Sequence, residues 1–538
     1  MTDNTTISLL LPEIVLIGAA TLIYLAGAFF PRHFQPHAAA AFAILLAAVL
    51  LGTQDYRTHA GMLSAAPGAW ISGPLAMDLL GQICLWPILL FGLLLVMLSS
   101  DSPSVRPEAE YVGSLLLIVA GLMIVAVGYD LVLLFVGLEL ISIPTYIVLY
   151  LGRRDPFGQE ATTKYFFLSI LSSALLLYGF SFLYGAAGST RLDHLREALL
   201  TAPTLTAGEP GINLAPIAVL LVFAGLGFRM TCVPLHFYAP DVYQGTSHAN
   251  AGLLATLPKI AGLLVLVRIV YASMPGLETL EWKVALVMAV ATMTLGNLVA
   301  LWQTDIRRLL AYSSIAHGGY ILIGIAAGLA HAESYSSGEM TGFQLHGVGA
   351  AFFYLAMYCL STIGAFAALK YLGGREKQVD GIDELAGLGR SRPLPALALA
   401  VSMFSLAGVP PLAGFWGKLT LFSSALGVDS SPLRPWFVGL AIIGVVNAAI
   451  AMAYYLRVVG VMYFRPSAAS GASTVKAEGG AGAWWAMVAC TLMVLGVGVC
   501  PGPIIRLTDH AAHAIRQAQP VDEDATDAAL PSHLSMRQ

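Results

Sequence analysis

The sequence predicts an all-α polytopic membrane protein of about 14 transmembrane helices, with two inverted five-helix repeats that each contain a broken helix. Three observations lead there. Hydrophobic residues fill 57% of the 538 positions and charged residues only 11%, where a soluble domain carries about 25% charged residues. Apolar runs of roughly 18 to 25 residues, the length a helix needs to cross the hydrocarbon core, recur from end to end. Two of those runs also resemble each other.

In chain order the runs fall near residues 8–30, 37–53, 78–99, 111–128, 130–151, 161–185, 212–238, 248–272, 282–303, 306–328, 346–371, 395–425, 433–464 and 483–507. The first, "MTDNTTISLLLPEIVLIG", lacks a basic leader and carries Asp3 and Glu13, so it reads as a span and not a cleaved signal. The run from Lys164, "KYFFLSILSSALLLYGFSFLYG", resembles the run from Ala350, "AAFFYLAMYCLSTIGAFAALKYLGG". Each precedes a span interrupted at a Val-Pro step, at Val233-Pro234 and at Val409-Pro410-Pro411. Five spans separate the members of each pair, so the copies cross the membrane in opposite directions, an arrangement that places ion sites at paired breaks near the midplane. The expected division is 1–110 for three N-terminal helices, 111–272 and 273–465 for the repeats, and 466–538 for a loop, the last helix and a polar tail. The linker "RPSAASGASTVKAEGGAGA" and the tail from Asp509 to Gln538 are too polar or small to bury a core and are expected to be mobile surface segments.

Lysine and arginine give the orientation. With the N-terminus outside, cytoplasmic connections hold 13 basic residues, among them Arg32, Arg106, Arg154, Arg307, Arg308 and Lys370, against 8 on the other side. Both termini are therefore expected on the non-cytoplasmic side. The five cysteines lie singly in apolar segments without a C-x-x-C pair, so buried inert thiols are expected and neither a metal site nor a disulfide. "GLGFRM" follows no strand and is not a dinucleotide fingerprint. The lipid bilayer is the expected surrounding, and nucleic acid is not an expected partner.

Six bases remain within spans: Lys164, Arg229, Lys259, Arg268, Lys418 and Arg457. A charge at the bilayer centre costs roughly 2.5–3.5 kcal/mol, so four near-central bases cost on the order of 10–14 kcal/mol. They must be paired, hydrated or neutral part of the time. Glu139 is the one clearly central carboxylate, and it cannot neutralise Arg229, Lys259, Lys418 and Lys164 together. A lysine that gains and loses a proton inside a membrane is a proton relay. Lys259, about ten residues or ~15 Å into its span, is too deep to snorkel. Arg268 and Arg457 sit near span ends, where snorkelling to the headgroups is the simpler expectation, and Lys164 is open to either reading. Lys418 follows the break at Pro410-Pro411, where freed carbonyls need polar surroundings. His236 follows Pro234 and titrates in a range that suits a shuttle. For His317, in "AYSSIAHGGY", a serine-bonded structural role serves as well.

Together these residues resemble the antiporter-like membrane subunits of respiratory complex I, the proton-pumping NADH–quinone oxidoreductase, and of Mrp-type cation/proton antiporters. The resemblance rests on "LLPEIVLIG", "LFVGLELISIPTYIVLYLGRRD", "EATTKYFFLS", "VPLHFYAPDVYQG", "LPKIAGLLVLVRI", "GNLVALWQTDIRRLLAYSSIAHGGYILIG" and "SLAGVPPLAGFWGK", in order from residue 10 to 418. "APDVYQG" fits the N type of subunit better than the L or M type or an Mrp antiporter. The resemblance implies that Glu139, Lys164, His236, Lys259 and Lys418 match the family's proton-channel residues, and Glu13 an N-terminal acid. It implies neighbours of the K, M, L, A, J and H types in a bacterial inner membrane. It also implies that NADH, FMN, iron–sulfur clusters and quinone are bound by partner subunits and not by this chain. One position departs: Arg229 stands where the family pattern has lysine. Arginine stays protonated and cannot pass a proton on, so Arg229 is expected to pair with Glu139 and leave the relay to Lys259, His236 and Lys418.

Overall fold

The computed structural model describes residues 7, 9–30, 34–59, 70–100, 108–153, 155–201, 214–271, 273–274, 277–334, 346–373, 378–429, 432–466 and 479–517. Among them, twelve helices are long and apolar enough to cross a membrane. In order these begin with α1 (Leu11–Phe29), α2 (Pro36–His59), α3 (Leu79–Ser99), α4 (Glu108–Val127), α5 (Leu131–Gly152) and α6 (Pro156–Ala187). A short α7 (Leu192–Thr201) and the apolar α8 (Ala215–Arg229) lead to α9 (Ala239–Gly245) and α10 (His248–Leu266), which runs on into a π-helical turn, Val267–Tyr271. Then come α11 (Glu278–Ala300), α12 (Ile306–Ser334), α13 (Gly347–Gly373), the half-helices α14 (Pro393–Ala407) and α15 (Ala413–Leu426), α16 (Arg434–Phe464), α17 (Ala481–Val499) and α18 (Gly502–Gln517).

Short side chains start these helices. Asp78, Asp130, Asp155 and Ser247 each accept a hydrogen bond from a first-turn N–H, at α3, α5, α6 and α10. Such caps satisfy donors that no preceding carbonyl can reach. Every position along α10 is buried and α12 and α13 are nearly so, whereas α1, α2, α16 and α17 bury only about a third of theirs. The core is thus a central trio of helices inside a shell whose outward Leu, Ile, Val and Phe suit lipid. Both predicted interruptions are present, after Arg229 and after Ala407.

Several expectations change. The last span ends at Val499, because Cys500-Pro501 breaks the helix. The segment from Asp509 continues as the last turns of α18, with Ala511 and Ala512 buried and Asp509 Oδ1 accepting from the His346 backbone N–H at 2.8 Å. Its apolar positions share one face, which is why it packs where its mean polarity suggested a loose tail. Cys500 is exposed at that break, unlike the four buried cysteines. A hairpin, β1 (Trp70–Ser72) with β2 (Leu75–Met77), adds a small antiparallel element to an otherwise helical chain. The linker at 467–478, the tail beyond 517, and Asp3, Arg32, Arg106, Arg154, Arg375, Lys377, Lys476 and Arg537 lie outside the described residues.

Arg268 does not snorkel, and Arg457 is tied to loop carbonyls at its span end. Arg268 is 2% exposed and grips Asp78 through both Nη atoms, at 2.9 and 3.2 Å, while also donating to the Ala126 carbonyl. Arg457 donates to the Leu301 carbonyl at 2.9 Å and to that of Gln303, closing the end of α11. Removing one partner of a buried pair strands the other, at about 3–5 kcal/mol. Arg268→Met is therefore expected to destabilise the purified protein by about 3–5 kcal/mol in a thermal or denaturant unfolding assay. A snorkelling side chain would give a change within about 0.5 kcal/mol.

Candidate functional site

The site is built on the two helix breaks. After α8, Thr231 takes φ 58°, a left-handed conformation that a β-branched residue rarely adopts, and the chain turns out of the helix. The last carbonyls of an α-helix have no intrahelical donor and carry the negative end of the helix dipole. Here the Phe228 carbonyl accepts from the Tyr238 hydroxyl at 2.9 Å. The Met230 carbonyl accepts from Lys259 Nζ at 2.8 Å, and Lys259 also bonds the Thr231 hydroxyl. Lys259, 0% exposed on α10, thus closes the end of α8.

The second break repeats the device. Gly408 ends α14 at φ 90°, and Pro410 and Pro411 offer no N–H with which to continue. Lys418, on α15 and 5% exposed, reaches back to the carbonyls of Leu406 at 3.0 Å and Ala407 at 2.9 Å. A Cβ at Gly408 would stand 3.0 Å from Lys418 Cδ, so glycine serves both the turn and the lysine. Among the described residues neither lysine has a carboxylate at ion-pair distance.

Arg229 occupies the last turn of α8, a favourable place for a cation. It donates to Ser142 Oγ at 2.8 Å and to the Leu138 carbonyl at 3.3 Å, and it meets Glu139 Oε1 at 3.4 Å. Ser173 donates to the same carboxylate oxygen at 2.5 Å. The Glu139–Arg229 pairing expected from sequence is present. Lys164 is not part of this cluster: it is partly exposed and held by Asp241 at 2.6 Å and Glu160 at 2.7 Å. The sequence-based acid count overlooked those two carboxylates because they lie outside the apolar run. His236 sits half-buried in the first break, and no hydrogen bond links its ring to the Lys259 cluster.

His317 is the residue that sequence reasoning undervalued. It lies on α12 within electrostatic reach of both Lys259 and Lys418. Its partners are tyrosines rather than serines: Nδ1 meets Tyr354 OH at 2.5 Å and Nε2 meets Tyr455 OH at 3.0 Å. Tyr320, on the same helix, lies edge-on to the His317 ring and places its own ring 5.1 Å from Lys418 Nζ. The arrangement is a row, Glu139–Arg229, then Lys259, then His317, then Lys418, buried except at the partly exposed Glu139. Its members are titratable except Arg229, which is a fixed charge.

The family described as "NADH:quinone oxidoreductase/Mrp antiporter, TM" matches residues 128–450, which include that entire row. A protein of Paramagnetospirillum magneticum named NADH-quinone oxidoreductase subunit N is 36% identical over 411 residues, 76% of this chain and 78% of its own length. One of Koribacter versatilis, named NADH-quinone oxidoreductase subunit N 1, is 33% identical over 506 residues, 93% of this chain and 94% of its own. A chain of respiratory complex I from Thermus thermophilus superposes with a TM-score of 0.69 at 30% identity, covering 92% of this chain and 98% of that one. A chain of the Mrp complex from a Dietzia species reaches a TM-score of 0.75 at 21% identity, covering 96% and 99%, which is a likeness of fold.

If Arg229 acts as a fixed charge against Glu139, Arg229→Lys keeps most of the chain's activity in membrane vesicles. Arg229→Met loses it, since the carboxylate is left without its cation. Equal, full activity of both variants contradicts that role.

Proposed function

This chain belongs to the NADH:quinone oxidoreductase/Mrp antiporter membrane family, as an antiporter-like membrane subunit of NADH–quinone oxidoreductase, and from that premise we infer that its buried row carries protons across the bilayer. The observation that carries this reading is the pair of lysines, each closing the carbonyl end of an interrupted helix without a carboxylate beside it. Such an ammonium is held only by neutral dipoles, so it can be discharged without stranding a buried anion.

In the proposed sequence Lys259 gives its proton towards His317 and recovers one from the loading side. His317, bonded through both nitrogens, hands the proton towards Lys418. Arg229 never discharges; with Glu139 near it the pair is close to neutral, and when Glu139 is drawn away the bare guanidinium repels the Lys259 charge. Glu139 lies on α5 in register with the exposed Val132, Val136, Ile143 and Ile147, the stripe where a neighbouring subunit is proposed to sit. Lys164 and His236 belong to the proposal as peripheral groups at the loading side and in the first break.

The same reading includes the repeats at 111–272 and 273–465 between residues 1–110 and 466–538, and both termini on the non-cytoplasmic side of a bacterial inner membrane. It assigns neighbours of the K, M, L, A, J and H types, with NADH, FMN, iron–sulfur clusters and quinone held by other subunits. A cation/proton antiporter subunit of the Mrp type is the alternative. The relatives named subunit N, at 33–39% identity, favour the first over a likeness of fold at 21%.

Lys259→Ala in the assembled complex is expected to abolish most NADH-driven proton pumping, read with a pH-sensitive dye in sealed vesicles, while the protein still inserts. Pumping at the unmodified level would remove Lys259 from the relay.

A further inference from the structure

One buried titratable side chain on α10 takes no part in the row above. His248 opens the helix, 2% exposed, directly behind the Ser247 cap. Neither of its ring nitrogens closes a hydrogen bond, although the backbone of Val379 lies within reach. Buried polar atoms without a partner are rare and ask for an explanation. The charged side chains near it, and Tyr111 and Asn250, make their bonds elsewhere. Arg307 of α12 donates to the Thr246 carbonyl, to Gln378 at 2.9 Å and to Asp380 at 2.6 Å. Lys370 of α13 donates to the carbonyls of Leu98 at 2.6 Å and Ser100 at 2.7 Å. Tyr111 of α4 donates to Asn250 at 2.6 Å, and Asn250 in turn donates to the Val148 carbonyl of α5 at 3.1 Å.

His248 and Lys259 are eleven residues apart, which on an α-helix is ~16 Å of rise and only ~20° of rotation. They share one face. Along that face α13 runs the other way and presents a residue at every fourth position. Phe366 has its ring 6.2 Å from the His248 ring and lies against Gly252. Next is Thr362, 3% exposed, whose hydroxyl closes no hydrogen bond, with Tyr358 within reach. Tyr358 donates to Ser314 at 2.8 Å, and its ring stands 4.7 Å from that of His317. A line of polar groups therefore runs from His248 to the centre, with Phe366 between its first two members.

We propose that His248 is the station at which protons enter the row, from the membrane side that carries Arg307, Lys370 and Asp380. The proposal rests on the proton-translocating reading above. A neutral imidazole binds a proton on one nitrogen and releases one from the other. The released proton passes by way of the Thr362 and Tyr358 hydroxyls towards the uncharged Lys259 amine, and the ring ends with the single proton it began with. Passage requires the Phe366 ring to swing from its place beside Gly252.

The test uses the assembled complex in proteoliposomes, with His248→Gln, Thr362→Val and Lys259→Ala as a reference. His248→Gln and Thr362→Val are expected to lose most proton pumping, and added imidazole to restore part of it in His248→Gln only. A loss that imidazole leaves untouched makes His248 a structural residue and overturns the proposal. Full pumping by His248→Gln beside a dead Lys259→Ala overturns the entry role alone, whereas full pumping by both overturns the underlying reading. If His248→Gln does not assemble, Thr362→Val decides, and full pumping by it contradicts the route.

Discussion

The centre of this protein depends on one interaction, a lysine ammonium placed against the carbonyl end of an interrupted helix. Each such hydrogen bond to a charged group is worth about 1.5–3 kcal/mol. Two per lysine are comparable with the roughly 2.5–3.5 kcal/mol that a central charge costs in the bilayer. Neither side of that balance wins by much. A carboxylate partner would fix the lysine charged, and an apolar pocket would keep it neutral. Helix dipoles hold it between those limits, which a relay needs. The interruptions are what make the dipoles available, because an unbroken helix would expose no free carbonyls at this depth. Thr231 at positive φ and Gly408 with the two prolines behind it are therefore as much part of the site as the lysines.

The other deep charges are arranged so that they do not compete. Arg268 is committed to Asp78, Arg307 to Asp380, Lys164 to Asp241 and Glu160, and Arg457 to carbonyls at the end of α11. Arg229 lies beside the residues that Lys259 bonds, and its counter-charge, Glu139, is partly exposed in register with an outward-facing stripe of α5. That geometry gives an adjoining subunit a means of acting on the row. Moving that one carboxylate alters the field at Lys259 without moving the lysine.

The spans were legible because a membrane helix must be apolar along its whole length, and the breaks because Val-Pro steps interrupt two such runs. Lys259 was legible as a deep cation, since depth follows from counting residues. Its partners were not: backbone carbonyls leave no mark on a sequence, so a lysine with no acid in its own run looked short of company. Arg268 and Arg457 show the same limit from the other side. A base near a span end reads as snorkelling, and only the fold brings Asp78, 190 residues earlier, beneath Arg268. His317 was passed over because its tyrosine partners, Tyr354 and Tyr455, come from two later helices. α18 was misjudged because a tail was read by composition, when its apolar residues keep a helical period.

The central claim is that Lys259 works by losing its proton and not by being positive. Proton pumping by the assembled complex carrying Lys259→Arg tests it most directly, because arginine keeps the charge and can still donate to the Met230 carbonyl but does not deprotonate. The account predicts a complex that assembles and is stable yet pumps little or nothing. Pumping near the unmodified rate would show that a fixed charge suffices at this position and would contradict the account.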